Sequence, residues 1–464
     1  MEAVRELFSK INHVIPEVEK PAKRPTLKEK LAWTAIVLIL YYLLTQVPIY
    51  GIPKETIDYL AGLRVIFAGA SGSIVELGIG PVVTAGIVME LLIGSNILKL
   101  DLTDPEDRRF FQEAQRVAAI FFIVLENGMY ALGRYPVGGL LQLFIIVQLC
   151  IGSFLLMMLD DLTSKWGIGS GISLFILAGV AQRVLWEMFT PLTTSNGRVI
   201  GVIPALIKEG IVAVYRPGMP NLLGLVATFV VFLIVVWAYG IRVEIPIAHT
   251  MVGGQKMKYP IRLLYVSNVP IIFAAALIGD IEMMSRVLWM RMGSTATGAL
   301  KWIIDFLGTW KIEGSSMIPV SGLAYYLQRP FSPEYLFLKP DASLVYLVVM
   351  VLGCVLFAKV WVMTAGMDAA HVADQLVKQG IVIPGRRAST KIMKRTVENY
   401  INTVTILGGL LVGLLAALAD FSGALGTGSG ILLAVTIVAS FYEALAKERA
   451  MEIYPRLKKF FVGR

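Results

Sequence analysis

The stretch that decides the fold of this chain is GIGPVVTAGIVMELLIG, from Gly78 to Gly94. It is too apolar to lie in water, and it holds more glycine and proline than an ordinary membrane anchor does. A helix in lipid must satisfy its own backbone hydrogen bonds, so the Gly-x-Gly-Pro start predicts backbone that is buried against protein or lines a cavity. Thr84 and Glu90 place polar groups where lipid disfavours them. The stretch therefore predicts either the wall of a pathway or a tightly packed structural helix inside a membrane bundle.

The composition around this stretch is that of an integral membrane protein. Of the 464 residues, 56% are hydrophobic and only 16% are charged, whereas soluble domains carry more charge. The net charge of +9 is expected of cytoplasmic loops that face anionic lipid or an acidic partner such as RNA. Cys150 and Cys354 each lie in an apolar run, so we expect small core residues rather than a disulfide framework.

Ten apolar segments are candidate membrane spans. We predict them near 31–48, 74–98, 110–131, 138–159, 168–188, 221–241, 260–280, 342–363, 400–419 and 424–446. An even number of spans places both termini on one side of the membrane. Assigning that side to the cytoplasm puts 28 of the 42 lysines and arginines in inner segments, as the positive-inside rule requires. The sequence thus predicts a multi-pass protein of the cell membrane with both termini cytoplasmic.

Two similar glycine-rich motifs point to an internal repeat. GIGSGI, Gly167–Ile172, opens the fifth span, and GTGSGI, Gly426–Ile431, opens the tenth. Five spans is an odd number, so two such halves would have opposite orientations in the membrane. Inverted halves around a midplane site are typical of transport proteins. A secondary transporter with broken helices and inverted repeats is therefore one possible function.

The sequence predicts no enzyme. Its histidines, His13, His249 and His371, share no ligand spacing, and no HExxH, CxxC or P-loop motif is present. The string GASG at 69–72 matches the short GxSG motif of rhomboid intramembrane proteases. That chemistry needs a histidine base on a neighbouring membrane helix, and no predicted span contains one. We therefore expect no catalytic residues, no metal and no cofactor.

Several segments together resemble the SecY family, the central subunits of Sec protein-conducting channels. They are Gly78–Gly86 (GIGPVVTAG), Lys165–Ile172 (KWGIGSGI), Pro260–Leu277 (PIRLLYVSNVPIIFAAAL), Leu425–Leu433 and the basic loop from Pro384 to Lys394. The likeness covers almost the whole chain, in order and at matching spacing, and is strongest to the archaeal form. It implies an all-α integral membrane protein, with ten transmembrane helices in two inverted pseudo-symmetric halves around a central hourglass pore.

The resemblance also implies how the chain divides. We expect an amphipathic cytoplasmic segment at 1–30, an N-terminal half with helices 1–5 at 31–190 and an external loop at 191–220. A plug would lie at about 61–72. The C-terminal half, with helices 6–10, would span 221–446 and carry basic cytoplasmic loops at 242–260 and 364–399. A basic cytoplasmic tail would follow at 447–464.

The functional residues of the family fall on identifiable positions of this chain. The pore ring, six branched aliphatic residues, falls on Ile79, Val83, Ile168, Ile172, Ile272 and Leu433. The plug falls on Gly62, Leu63, Arg64, Val65, Ile66 and Phe67. The polar contacts of a lateral gate fall on Thr84, Glu126 and Asp280, and the ribosome contacts on Arg386, Arg387, Lys391 and Lys256. Most other basic residues of the inner loops are typical of positive-inside loops in contact with lipid.

The function implied is the pore-forming subunit of a Sec translocon, which passes unfolded secretory polypeptides and releases transmembrane segments laterally into lipid. A pore for unfolded chains cannot be a selective cage, because its substrate changes at every residue. A constriction of flexible aliphatic side chains, dewetted when empty, meets this need. The expected partners are small single-span subunits (SecE and SecG or Sec-beta type), a ribosome or other motor, signal sequences and nascent polypeptides, and membrane lipid.

Overall fold

The computed structural model describes Phe8, Asn12 and residues 15–453, apart from 53–67, 96, 99, 101, 103, 136, 195–196, 250–254, 265–267, 294, 314–315, 331, 379–380 and 383–389. Within that part the α-helices are α1 (Leu27–Gln46), α2 (Gly80–Gly94), α3 (Pro105–Arg134), α4 (Gly139–Trp166), α5 (Gly171–Phe189), α6 (Val202–Glu209), α7 (Leu222–Gly240), α8 (Val269–Met292), α9 (Ala299–Leu307), α10 (Leu323–Leu327), α11 (Tyr335–Leu338), α12 (Pro340–Thr364), α13 (Ala369–Lys378), α14 (Thr390–Phe421) and α15 (Gly428–Ile453). The strands are β1 (Arg242–His249), β2 (Gln255–Arg262), β3 (Thr309–Glu313), β4 (Ser316–Ser321) and β5 (Ile381–Val382).

Each of the ten predicted spans overlaps one long helix of the described chain. Seven helices there are long and apolar enough to cross a membrane, judged by length and composition. The helix α2 falls short because it has only 15 residues, about 22 Å at the α-helical rise. The predicted start at residue 74 is therefore wrong, since residues 68–79 form irregular backbone. This backbone is largely buried in protein, which is where a membrane protein tolerates it.

The seventh predicted span is displaced in the structure. Residues 260–262, placed in the span at 260–280, belong to strand β2, and the helix begins only at Val269, with Pro270 in its first turn. Proline is favoured there, because the first amides of a helix have no partner within the helix. The helix then continues to Met292, so that Asp280 lies at mid-helix rather than near an end.

One hydrophobic core unites the long helices. Its buried residues come from all ten helices of 15 residues or more that the structure describes. The outward faces stay apolar and exposed, as on α7, where Leu233 is 64% and Trp237 72% exposed. Lipid is as apolar as these side chains, so this exposure is the expected state of a membrane bundle rather than a defect.

The two basic inner loops fold into one unit. Strands β1 and β2 form an antiparallel hairpin, and β5, from the second loop, pairs with β1 through Ala248 and Val382. Buried side chains from both loops, among them Ile247, Leu376 and Met393, share one hydrophobic cluster. This pairing is not visible in the sequence, because no local pattern marks a strand pairing across more than 130 residues.

The two other long connections also contain regular structure. The first holds α6 and a 3₁₀-helix, Gly210–Val214. Arg216 follows it and is 2% exposed, because its guanidinium donates to the backbone carbonyl of Val199 at 2.6 Å. The second holds α9, the β3–β4 hairpin, α10 and α11.

Candidate functional site

Three helices begin inside the bundle after glycine-rich turns. These are α2, α5 and α15, and each is preceded by a glycine with positive φ: +59° at Gly78, +71° at Gly169 and +70° at Gly426. Such φ values are open to glycine and disfavoured for other residues. The glycines therefore set where each helix starts, a few residues later than the sequence analysis predicts for all three.

The pore-ring residues lie at these helix starts. Ile79 and Val83 flank the first turn of α2, Ile168 and Ile172 flank the start of α5, Ile272 lies in the first turn of α8, and Leu433 lies in the second turn of α15. Five of the six belong to the central core or pack against it. The exception is Ile168, which is 4% exposed but lies outside that cluster.

The three residues assigned to the lateral gate come together. The Thr84 hydroxyl of α2 lies 2.8 Å from Oδ2 of Asp280 on α8. It also lies 3.1 Å from the carbonyl oxygen of Gly80, one turn earlier in α2. The Glu126 carboxyl of α3 is 6% exposed and interacts with both Thr84 and Asp280. Three helices therefore meet at one partly buried polar contact, which we call the gate trio.

Glu90, the other carboxylate of α2, does not join the gate trio. It is 5% exposed, and its Oε2 has no hydrogen-bond partner among the residues that the structure describes.

A buried ion pair near the first glycine-rich turn was missed by the sequence analysis. Oε1 of Glu76 lies 2.6 Å from Nη1 of Arg134, with both side chains at most 3% exposed. The hydroxyl of Tyr135 donates to Oε2 of Glu76 at 2.6 Å, and the amide of Gly72 donates to Oε1 at 3.2 Å. Charges buried this deeply are kept only when paired and hydrogen-bonded. The network fixes the irregular segment before α2 to the end of α3.

The same segment is tied to the end of α1. The Tyr41 hydroxyl donates to the carbonyl of Ala68 at 3.0 Å. Backbone bonds join Ile49 to Gly72 at 2.9 Å and Ile74 to Val47 at 3.0 Å.

Several predicted site residues lie outside the described residues. They are the six plug residues, Gly62, Leu63, Arg64, Val65, Ile66 and Phe67, and the loop residues Arg386 and Arg387. Lys256 lies in β2 and Lys391 in α14, but their side chains are not described. In the described part of the chain, no group of three or more His, Cys, Asp or Glu could hold a metal ion.

Comparison with known proteins places this geometry in a family. Residues 73–442 match the SecY family, and residues 39–72 match the family described as the plug domain of Sec61p. The protein translocase subunit SecY of Pyrococcus furiosus is 42% identical over 98% of this chain and 99% of its own length.

Solved structures agree. One described as "The structure of a protein conducting channel" has a TM-score of 0.82 and 38% identity, and covers 96% of this chain and 98% of its own. Sec61 in the canine ribosome-channel complex from the endoplasmic reticulum has a TM-score of 0.79 and 36% identity, with the same coverage.

Proposed function

The chain belongs to the SecY family, and from that premise we propose that it is the pore-forming subunit of a protein-conducting channel. It passes unfolded secretory polypeptides across the membrane and releases transmembrane segments into lipid. The observation that carries the proposal is the gathering of aliphatic residues at the starts of helices in one core, beside a partly buried polar contact between α2 and α8. Family membership sets aside the secondary-transporter alternative.

The pore ring seals the resting channel. Ile79 and Val83 are one helical turn apart, because the Val83 amide donates to the Ile79 carbonyl at 3.0 Å. Ile172 lies in the first turn of α5, whereas Ile168 precedes that helix. A bare ion among such side chains loses its hydration and gains no ligand in return. A polypeptide is wider and can push flexible aliphatic side chains aside. The ring therefore excludes ions at rest and yields to a translocating chain.

The gate trio is the contact that parts when a hydrophobic segment leaves the pore sideways. Its hydroxyl and two carboxyls lie between otherwise apolar helix faces. Lateral exit is a partitioning of the segment from the pore into lipid. Each Leu or Ile at the centre of the segment favours it by about 0.3–0.6 kcal/mol, and each charge opposes it by about 2.5–3.5 kcal/mol. A weak polar contact suits such a gate, since a typical segment supplies enough energy to replace it.

The plug and the ribosome contacts follow from the same premise. The plug comprises residues 62–67 within about 61–72, and the match of residues 39–72 to a plug family supports it. The ribosome or another motor binds the basic inner loops at Arg386, Arg387, Lys391 and Lys256. The pairing of β1, β2 and β5 supports this, because it joins both loops in one folded unit.

The remaining assignments concern the membrane and the other subunits. The protein lies in the cell membrane with both termini cytoplasmic, which the excess of lysine and arginine in inner segments supports. It catalyses no reaction, and the motor supplies the energy. Small single-span subunits (SecE and SecG or Sec-beta type) pack on its outward faces, where α7 offers a broad apolar surface. The division of the chain given by the sequence analysis applies, with the helix bounds corrected above.

A stalled secretory polypeptide tests the proposal. A photoreactive amino acid at Ile79 should crosslink to the chain during translocation, whereas the same probe at Leu233, on the outward face of α7, should not. Two small subunits should copurify from native membranes. Labelling at Leu233 equal to that at Ile79, or no labelling at Ile79, would exclude a central pore. Ion-coupled uptake of a small solute into liposomes would support the transporter instead.

A further inference from the structure

A carboxylate of the preceding helix holds the start of α5. Oδ1 of Asp160, on α4, accepts a hydrogen bond from the backbone amide of Ile172 at 2.9 Å and another from the Ser170 hydroxyl at 3.3 Å. Ser170 is the N-cap residue, and its own side chain does not cap the helix. The two helices touch here, because a Cβ on Gly171 would lie 2.6 Å from the Cα of Asp160.

The start of α15 repeats this arrangement. Oδ1 of Asp420, on α14, accepts from the backbone amide of Ser429 at 2.9 Å. A Cβ on Gly428 would lie 2.0 Å from the carbonyl carbon of Ala419. Asp420 is 3% exposed, and the Tyr346 hydroxyl donates to its Oδ2 at 2.8 Å. Each of the two similar glycine motifs is thus pinned to the helix before it by an aspartate.

These contacts act where the pore ring begins. The first amides of a helix have no partner within the helix and form its positive end, so a carboxylate there is strongly held. Ile172, whose amide is bound by Asp160, is itself a pore-ring residue. Leu433 lies four residues after Ser429, and therefore on the same face one turn along α15.

The helix α2 lacks this device. Its N-cap residue Ile79 has no side-chain cap. Among the described residues its first turn is closed by backbone bonds, such as Gly80 to Leu77 at 3.2 Å. The aspartate contacts thus belong to the two related motifs rather than to broken helices in general.

We propose that Asp160 and Asp420 are positioning residues of the pore ring. Each fixes the first turn of a broken helix to the preceding helix, and thereby holds one wall of the constriction closed. The inference rests on the pore-ring function proposed above. It assigns a role to two carboxylates that belong neither to the predicted pore ring nor to the gate trio.

Resting ion conductance in planar bilayers tests the inference. Asp160→Leu should raise the conductance of the folded channel roughly fivefold, the population shift expected when one helix cap is lost. Asp160→Asn keeps an acceptor at Oδ1 and should stay silent. Asp161→Leu is the matched control. Asp161 is the next residue in the chain, but its carboxylate bonds Lys165 at 2.9 Å and Arg116 at 3.2 Å rather than the start of α5. A leak from Asp161→Leu as large as that from Asp160→Leu would overturn the inference.

The second aspartate has its own pair of variants. Asp420→Leu should leak, whereas Tyr346→Phe, which removes one bond to Asp420 but leaves the bond to Ser429, should not. If either leucine variant fails to fold, Gly171→Ala tests the same contact with Asp160 retained. Its Cβ would lie 2.6 Å from the Cα and 2.9 Å from Oδ1 of Asp160, so it should push α5 away from α4 and cause a leak. A silent Gly171→Ala channel would contradict the inference, and Gly128→Ala, at a site open to a Cβ, controls for added bulk.

A positive control distinguishes failure of the positioning role from failure of the pore ring itself. The triple variant Ile79→Ser, Ile168→Ser, Ile272→Ser should leak by removing the ring itself. If it leaks and the aspartate variants are silent, only the positioning role is wrong. If it too is silent, the pore ring is wrong and the inference fails with it.

Discussion

Thr84 and Asp280 are 196 positions apart in the chain, and a hydrogen bond of 2.8 Å between their side chains ties α2 to α8. Such a bond contributes a net ~0.5–1.5 kcal/mol. That is enough to bias a gate towards closure and too little to lock it.

Replacing Thr84 with valine should make the gate open more readily. Valine matches threonine in shape but cannot donate, so the closed contact weakens by about one hydrogen bond. A signal sequence of marginal hydrophobicity should then insert roughly threefold to tenfold more efficiently in proteoliposomes. Thr364→Val is the control, because the Thr364 hydroxyl bonds only to carbonyls of its own helix among the described residues. Equal gains from both variants would contradict a gate at Thr84.

Opening the pore ring should cause a leak rather than unfolding. Serine at Ile79, Ile168 and Ile272 makes the constriction polar, so water and ions can enter. We expect single-channel currents from a stable protein. A matched triple with serine at Ile123, Ile145 and Ile401, all buried, should lower the melting temperature and stay silent. Stable, silent protein from the pore-ring triple would refute the ring.

Reversing the charges of Arg386 and Arg387 should weaken ribosome binding. The expected loss is greatest at low salt and shrinks as salt rises, because the contacts are with phosphates. Cosedimentation with ribosomes at several salt concentrations measures it. Reversal at Arg108 and Arg109, near the start of α3, is the control. Unchanged affinity of the Arg386/Arg387 variant at low salt would contradict the assignment.

Removing one partner of the buried ion pair between Glu76 and Arg134 should destabilise the fold. Arg134→Met removes the cation bonded to a carboxylate that is 0% exposed, and such changes typically cost about 3–5 kcal/mol. The melting temperature of the protein in detergent should fall sharply. The double variant with Glu76→Gln should recover much of the loss, since no buried charge then lacks its partner. Additive losses from the two changes would show that the pair does not act as a unit.

The segment before α1 should loosen on acidification. A hydrogen bond from Lys165 holds the pKa of Glu17 below its ordinary value, burial opposes this, and Arg116 reinforces it. Because the folded pKa is lowered, the contribution is complete above the ordinary glutamate pKa and is lost as pH falls through the lowered one. The amide of Val18 bonds Asp161 at 3.1 Å and reports this contact.

Hydrogen exchange of a peptide that contains Val18 measures the effect. At pH 7 the Glu17→Gln variant should exchange severalfold faster than the wild type, and the two should converge as the acid limit is approached. A constant ratio across the pH range would mean that Glu17 does not hold the segment.

Much of the fold could be predicted from local sequence. The ten apolar segments follow from composition, and the family follows from the quoted motifs. The resemblance also assigned Thr84, Glu126 and Asp280 to a lateral gate, and the structure places their side chains together. Their role as a gate stays a prediction, as do the roles of the pore ring, plug and ribosome contacts.

The boundaries were harder to predict. The span placed at 260–280 is a strand end followed by a helix from Val269, because an apolar run does not distinguish a buried strand from a helix. The span placed at 74–98 is helical only from Gly80. Hydropathy is indifferent to backbone conformation, so it marks what is buried but not where a helix starts.

The sequence by itself determined what each segment is: apolar enough to enter a membrane, or broken by glycine where a helix must start inside it. Those properties depend on neighbours in the chain, so they are visible without a structure. Only the tertiary structure decided which distant residues meet. The pair of Glu76 and Arg134, the joining of β5 to β1, and the aspartates at the starts of α5 and α15 depend on contacts between separate elements. The role of a buried carboxylate depends on its hydrogen-bond and ion-pair partners, and the packing of distant elements brings those partners to it.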